Sequence, residues 1–391
     1  MTSALTRSLF VAALVLFSTV PRAETLFALE DVKGDDNGAG VLIYPNRDDL
    51  QPGDLDLVRL SAEQRSDGIW FIAEMAQSIR SPVGKVTEIG QTPMEQLARN
   101  GFYTFNLDIY VDTDRVSGVG RVDTVPGRGV TVDRSFAWEK CIVLTPRPDI
   151  ARTMLQMFFD TEFETELRAR QGKVSKEELR ELQRQSETRV TDQYFFPTRV
   201  RVSGRKVEFL VPTEFLGDTP GRSWGYTAIV TGADLEQTGR LGLLPRSQPA
   251  MMTMSVGRGI RWSQWGIRSD VDEGTPPVVD LLAQDPDAQV NALSDYDMVA
   301  GRLAAVPGVA PDGNVALAAT GTALTVEQAA RIDETGSRGG VGPAAGTEGS
   351  PSPPERRTVP ARLRTLNELL GEGLITQAEY DDLRRKILTD L

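Results

Sequence analysis

The sequence predicts a mainly β fold: a β-sandwich with one helical insertion, followed by a helical hairpin at the C-terminus. Apolar and polar residues alternate with a period of two through much of the chain before residue 307, which is typical of strands. Turn residues such as Ser, Asp and Gly separate these runs at short intervals. Two stretches, 149–192 and 358–391, change to patterns typical of helices.

The strand-like runs differ in how many of their faces are apolar. In residues 24–30, Phe27 and Leu29 alternate with their neighbours, as in a strand with one buried face. Residues 69–73, IWFIA, are apolar on both faces, which favours a central strand that is covered on both sides. Residues 102–111 alternate in the same way as 24–30. Together these runs indicate a sheet architecture and not a helical one.

Composition limits the classes of function. The 391 residues carry a net charge of −12, with 40% hydrophobic and 25% charged residues, and this length suffices for one large domain and a small one. The acidic charge disfavours nucleic acid or anionic lipid as the main partner. The chain has no histidine, which excludes Ser-His-Asp and Cys-His catalysis and histidine-ligated zinc or haem. Cys141 is the only cysteine, and its apolar run predicts a buried, unreactive thiol.

Residues 1–23 have the features of a secretory signal peptide. A basic start precedes an apolar run from Leu9 to Val20, and cleavage is predicted after Ala23. This run is short for a bilayer span, and an uncleaved membrane anchor is the alternative interpretation. We therefore expect a secreted or periplasmic protein with no membrane span after the signal is removed.

The stretch 149–192 is rich in Glu, Arg, Gln and Leu and predicts a helical insertion between strands. Ser175 and Glu178 form a capping-box pattern at the start of its second part. Its charges are mixed in sign and its apolar positions are few. We therefore expect a solvated insertion, with a partner-binding helix pair as the alternative.

Residues 308–357 are rich in Ala, Gly, Pro and Ser, which predicts a disordered linker. The segment 358–391 then carries two apolar stripes separated by Gly371 and Gly373, and it resembles the SHOCT (short C-terminal) domain. A hairpin of this size cannot sustain a core of its own. We expect it to pair with a second copy or with another protein.

Three aspartates crowd the glycine-rich turn after the first strand. Asp31, Asp35 and Asp36 would repel one another unless they face solvent or share a cation. Calcium binds about six to eight oxygens, so further ligands are needed, and the candidates in the sequence are Asp54, Asp56 and Asp112. The sequence therefore predicts a structural calcium site. The alternative is a plain Asp-Gly turn held by side-chain hydrogen bonds.

Tryptophans are candidates for a carbohydrate-binding face, because a flat indole can stack on the C–H face of a sugar ring. Trp70 and Trp138 lie in strand-like runs and are expected to pack in the core. Trp262 and Trp265 lie in a loop that also holds Gln264 and Arg268, so these four residues are the predicted binding face. For Trp265, a core position is the alternative.

The acidic turn also carries a family resemblance. The run D-x-x-G-D-D-x-G-x-G, followed by Y-P at 44–45, resembles the opening of the glucodextranase-type C-terminal domain. Further runs stand in that family's order, at 54–57, 109–113, 125–128, 138–139, 207–216, 224–226, 265–266 and 279–282. The resemblance covers 24–307 and departs from the family at Val32 and Leu42. It implies a non-catalytic, immunoglobulin-like or DOMON-like β-sandwich that resembles carbohydrate-binding modules.

We therefore expect an exported, non-catalytic protein that binds an α-glucan or a cell-surface polysaccharide and self-associates through 358–391. The alternative is an envelope scaffold that oligomerises and has no glycan ligand. An enzyme would need a carboxylate pair such as Asp112 and Glu139 at a suitable separation. A haem carrier would have methionines such as Met251 but no histidine partner.

Overall fold

The computed structural model describes residues 23–87, 91–235, 251–259, 261–270, 274–297 and 300–313. The predicted signal peptide, except for Ala23, lies outside the described residues, as do most of the linker and the whole hairpin 358–391. What is described is mainly β, which confirms the fold class predicted from the sequence.

The strands are short and follow one another closely along the chain. They are β1 Glu24–Glu30, β2 Leu42–Ile43, β3 Leu57–Arg65, β4 Gly68–Met75, β5 Phe105–Asp112, β6 Val130–Val132, β7 Lys140–Leu144, β8 Tyr194–Phe195, β9 Val200–Ser203, β10 Lys206–Val211, β11 Gly225–Gly232, β12 Ser255–Gly257, β13 Gln264–Ile267, β14 Asp280–Leu281 and β15 Ala304–Val306. The helices are α1 Met94–Leu97, α2 Pro148–Gln171, α3 Lys176–Gln193, α4 Thr213–Leu216 and α5 Ala288–Ser294, with a 3₁₀ turn at Arg134–Phe136.

Two five-stranded sheets form the body of the domain. The first sheet has the order β1-β3-β4-β10-β9, with every neighbouring pair antiparallel. The second sheet has the order β14-β11-β5-β7-β8, and only the β7-β8 pair is parallel. Two smaller sheets, β12-β13-β2 and β15-β6, lie beside them.

The main core lies between the two large sheets. Phe27 on β1 stacks on Tyr226 of β11, with ring centroids 4.2 Å apart. Phe71 of β4 and Phe209 of β10 extend this aromatic layer along the first sheet. Alternate residues of β5, from Phe105 to Val111, face it from the second sheet. The apolar alternation read from the sequence is therefore the inner face of a sandwich.

The other face of the second sheet is covered by the helical insertion. Ala151, Leu155 and Phe159 of α2 and Val190 of α3 pack with Trp138 in a second cluster. The predicted capping box forms at the start of α3, since the side chain of Ser175 accepts from the backbone of Glu178 and the reverse bond is also made. The insertion predicted at 149–192 is thus a helix pair that shields β5 and β7 from water.

The structure confirms the expected core positions of several residues. Trp70 is 1% exposed and Trp138 is fully buried. Cys141 is buried in β7, and burial raises its pKa well above the usual value, as expected for an unreactive thiol. In the part of the chain that the structure describes, no helix is both long and apolar enough to span a membrane.

Candidate functional site

Three aspartates from distant parts of the sequence meet at one edge of the sandwich. Asp35 lies in the turn after β1, Asp56 immediately precedes β3, and Asp280 begins β14. Each offers a carboxylate oxygen, and these oxygens lie within 4.8 Å of one another. Asp31 completes the cluster, since its charge interacts with those of Asp35 and Asp280. We call these four residues the acidic cluster.

Backbone hydrogen bonds fix the orientation of these carboxylates. The turn after β1 passes through Gly34 at φ +92°, a conformation that L side chains rarely adopt, and the N–H of Gly34 donates to Asp56 Oδ2 at 2.7 Å. Leu57 N donates to Asp280 Oδ2 at 2.6 Å. Ala283 N donates to Asp31 Oδ1 at 2.7 Å. One oxygen on each of these three side chains is therefore held by the backbone.

The remaining oxygens of the acidic cluster lack hydrogen bonds. Among the described residues, no donor reaches Oδ2 of Asp31, either oxygen of Asp35, or Oδ1 of Asp56 and Asp280, although all of these atoms are buried. A buried carboxylate oxygen without a partner is costly. A hard cation that prefers oxygen ligands would satisfy all of these atoms together.

The electrostatics of the acidic cluster agree with this geometry. Burial raises the pKa of Asp31 to about 9, and the nearby carboxylates of Asp35 and Asp56 add to the rise. Burial likewise raises the pKa of Asp35 and of Asp56 to about 6. The pKa of Asp280 is raised well above its usual value, again mainly by burial. Without a cation, these groups favour protonation.

The other predicted calcium ligands contribute none of the oxygens that lie within 4.8 Å of one another at this edge of the sandwich. The charge of Asp36 nevertheless adds to the raised pKa of Asp35 and Asp56, and Asp54 Oδ1 is buried without a hydrogen bond among the described residues. Asp36 Oδ2 accepts from the Tyr44 hydroxyl and, at 2.6 Å, from Gly53 N. Asp54 Oδ2 accepts from Gln51 N at 2.8 Å and Arg80 Nε at 3.0 Å. These two aspartates thus hold neighbouring loops. Asp112 is at the end of β5, in a separate group with Asp114 and Glu139.

Sequence analysis missed Asp280 as a candidate ligand. It lies in the apolar run VVDLL at 278–282 and is fully buried. The sequence does contain one indication: Asp280 is the only charged residue in this apolar run. A carboxylate within a buried strand needs a partner. Its partners are more than two hundred positions away, so no local pattern identifies them.

A small pocket of about 10 Å³, with room for about one water molecule, lies beside Trp262 at the turn that precedes β13. Its lining is Arg47, Met94, Tyr103, Ala233, Asp234, Leu235, Met254, Trp262 and Ser263. The guanidinium of Arg47 lies over the Trp262 ring, 4.4 Å from its centroid. Trp262 is half-buried, whereas the other four tryptophans are buried. It is therefore the least buried of the five tryptophans, all of which lie in the described ranges.

A hydrogen-bonded chain holds Arg47 against this ring. Arg47 Nε and Nη2 donate to the two oxygens of Asp49 at 2.5 and 2.8 Å. The Tyr103 hydroxyl donates to Asp49 Oδ2 at 2.6 Å. Burial acts to raise the pKa of Asp49, but the hydrogen bonds from Arg47 and Tyr103 outweigh it and the pKa is lowered. Asp49 therefore stays ionised and keeps Arg47 in place.

The other predicted carbohydrate contacts do not gather at this pocket. Trp265 has no exposed surface and packs edge-on against Tyr44, so it offers nothing to a sugar and its core alternative holds. Arg268 lies beyond the far end of β13 from Trp262 and pairs with Asp270 at 2.7 Å. Gln264 begins β13 and is half-buried. Of the predicted face, Trp262 alone lines the pocket.

Comparison with known proteins gives one clear result. The family model described as the C-terminal binding module, SLH-like, of glucodextranase matches residues 26–308. This range includes both large sheets except for the first two residues of β1, and it includes the acidic cluster and the pocket beside Trp262. The search of curated proteins found no match.

Proposed function

This chain belongs to the family of the C-terminal, SLH-like binding module of glucodextranase, and from that membership we propose that it is an exported, non-catalytic carbohydrate-binding protein. The observation that carries the proposal is the extent of the match, which spans the sandwich except for the first two residues of β1. The ligand we propose is an α-glucan or a cell-surface polysaccharide.

The exposed part of Trp262, at the mouth of this small pocket, is the proposed sugar-binding site. The pocket has room for about one water molecule, so a sugar ring would lie outside it against the indole. An indole held in one orientation is a preorganised platform for the apolar face of a pyranose ring. Ser263, which lines the same pocket, supplies a hydroxyl for the ring's edge. The Arg47 side chain is only 5% exposed and is paired with Asp49, so its role is to hold the indole in place. The acidic net charge of −12 does not oppose a neutral glycan.

We further propose that the acidic cluster binds calcium. Asp31, Asp35, Asp56 and Asp280 supply oxygens only, and several of these are buried without a hydrogen bond, which suits calcium better than a metal that prefers nitrogen or sulfur. The ion would fasten the turn after β1 to the start of β14. Its role is structural, because the acidic cluster and the pocket share no residue.

Export through the predicted signal peptide 1–23 and self-association through 358–391 complete the proposal. Repeated copies of one binding module raise avidity for a polymer through high effective concentration. This offers a reason for a non-catalytic domain to carry an assembly segment.

The test uses the mature full chain on an array of soluble glycans and polysaccharides, with calcium present. Binding to one class of glucan or surface polysaccharide supports the proposal. If no glycan binds although calcium stabilises the fold, the carbohydrate proposal is refuted and the scaffold alternative takes its place.

A further inference from the structure

A second carboxylate group lies apart from the acidic cluster and the pocket. Asp112 ends β5, Asp114 follows in the next loop, and Glu139 immediately precedes β7. Each offers a carboxylate oxygen, and these oxygens lie within 4.8 Å of one another. Neither the sugar-binding proposal nor the first calcium proposal uses these residues.

One oxygen of each carboxylate is tied to a backbone N–H. Arg115 N donates to Asp112 Oδ1 at 2.6 Å, and Val116 N donates to Asp114 Oδ1 at 2.8 Å. Thr113 N donates to Glu139 Oε2 at 2.8 Å. The loop after β5 thus sets the direction of all three side chains before any ligand arrives.

Two of the remaining oxygens are buried and have no hydrogen bond within the described ranges. They are Asp112 Oδ2 and Glu139 Oε1, and the whole Asp112 residue is 1% exposed. Arg115 forms an ion pair with this group, with its Nε 3.7 Å from Asp112 Oδ2, beyond hydrogen-bond distance. Its buried Nε and Nη1 also lack hydrogen bonds within the described ranges. One guanidinium balances one of three carboxylates, so the group keeps an excess of negative charge.

We propose that Asp112, Asp114 and Glu139 hold a second calcium ion, coordinated by Asp112 Oδ2, Glu139 Oε1 and the carboxylate of Asp114. Asp114 is exposed, so the ion reaches the site from solvent and keeps water among its ligands. The bound ion fastens the loop after β5 to the start of β7. It also gives a partner at bonding distance to Asp112 Oδ2 and Glu139 Oε1, neither of which accepts a hydrogen bond within the described ranges.

This site is distinct from the acidic cluster. On β11, Gly225 pairs with Asp112 and Val230 pairs with Asp280. Five residues of strand separate those two pairings, which is roughly 17 Å at about 3.3 Å per residue. Each ion is therefore expected to bind independently of the other.

The test counts calcium bound to the chelator-treated full chain by equilibrium dialysis and isothermal titration. We expect two equivalents for the unchanged protein, and one each for the double variants Asp114→Asn/Glu139→Gln and Asp56→Asn/Asp280→Asn. If the Asp114→Asn/Glu139→Gln variant binds as much calcium as the unchanged protein, the second site is refuted.

Two controls distinguish the loss of a calcium ligand from the loss of the fold. Asp112 is left intact, the amide oxygen introduced by Glu139→Gln can still accept from Thr113 N, and circular dichroism verifies folding. Should the double variant unfold, the single variant Asp114→Asn at the exposed position is expected to weaken one equivalent at least tenfold, and unchanged affinity refutes the site.

The two calcium proposals fail separately in this design. If the Asp56→Asn/Asp280→Asn variant still binds as much calcium as the unchanged protein, the first calcium proposal is overturned and the second is unaffected. Titration with magnesium alone is expected to give weaker binding at the second site, because magnesium demands stricter octahedral geometry. Magnesium that binds there as tightly as calcium would overturn the assignment of the ion.

Discussion

Asp280 accepts a hydrogen bond from the backbone N–H of Leu57 at 2.6 Å, across 223 positions of sequence. Leu57 begins β3 of the first sheet and Asp280 begins β14 of the second. The bond therefore joins the two sheets at one edge, and it orients a fully buried carboxylate toward Asp35 and Asp56. The Asp280 side chain therefore both links the two sheets and supplies an oxygen to the proposed calcium site.

The first prediction concerns calcium and Asp280. Calcium at a hundred times its Kd adds about 2.7 kcal/mol to the free energy of unfolding, or several degrees in Tm for a domain of this size. In Asp280→Asn we expect this shift to shrink markedly. In chelator the same variant should melt close to the unchanged protein, because the raised pKa of Asp280 already favours its neutral form and the amide oxygen of Asn can still accept from Leu57 N.

The matched control is Asp48→Asn, which makes the same change of charge at a position outside the acidic cluster. It should keep the full calcium shift in a thermal melt followed by circular dichroism. If Asp280→Asn and Asp48→Asn respond alike to calcium, Asp280 is not a ligand.

The second prediction concerns Trp262. We expect Trp262→Ala to weaken glycan binding by about 2 kcal/mol, roughly thirtyfold in Kd, because an aromatic anchor is lost. Trp262→Phe keeps a flat ring and should lose less. Isothermal titration gives both Kd values. A Tm equal to that of the unchanged protein in each variant shows that folding is unaffected. Glycan affinity that is unchanged in Trp262→Ala would place the binding site elsewhere.

The third prediction is a pH dependence that arises from Asp49. Its pKa is lowered in the folded protein because hydrogen bonds from Arg47 and Tyr103 outweigh the effect of burial. A lowered pKa stabilises the fold above the unfolded-state pKa, and that stabilisation is lost as the pH falls through the folded value. Between about pH 5 and pH 8, Asp49 should therefore contribute no change in glycan affinity.

Because the pKa of Asp49 is lowered, its protonation should occur only below the ordinary aspartate pKa of about 3.9, and at that point it should release Arg47 and weaken binding. Asp49→Asn should bind the glycan weakly at every pH. When its affinity is measured across the pH range, it should show no fall at acid pH. A fall of equal size in Asp49→Asn would assign the acid sensitivity to other groups.

The fourth prediction concerns the packing of Phe136. A Cβ added at Gly308 would overlap this ring, whose face is also covered by Arg115, 4.1 Å from its centroid. Gly308→Ala should therefore cost about 1–3 kcal/mol of stability. At Gly221 an added Cβ would meet its nearest atoms at 3.7 Å, an ordinary contact, so Gly221→Ala should be nearly neutral. Urea unfolding measures both, and equal midpoints would show that the ring moves aside without cost.

Local patterns made much of this molecule predictable from its sequence. The alternation at Phe27 and Leu29, the capping box at Ser175 and the helical insertion depend on neighbours within a few residues, and all appear in the structure. Asp31 and Asp35 were found because the turn places their charges close together in sequence.

The rest depends on contacts that no local pattern records. Asp280 lies in the acidic cluster because β14 pairs with β11, a strand some fifty positions earlier in the sequence. Trp262 and Trp265 are close neighbours in sequence, yet one lines a pocket and the other is buried. These positions depend on the pairing of strands that are distant in sequence. The sequence therefore identified candidate ligands and tryptophans, but not which of them lie together in the fold.

The most direct test of the account is the affinity of the full chain for soluble α-glucans and surface polysaccharides, measured by titration at saturating calcium. We expect saturable binding to one of these polymers. In Trp262→Ala we expect the Kd for that polymer to rise roughly thirtyfold while the melting temperature stays the same. Absence of binding to every polymer tested, by a protein that is folded and loaded with calcium, would contradict it.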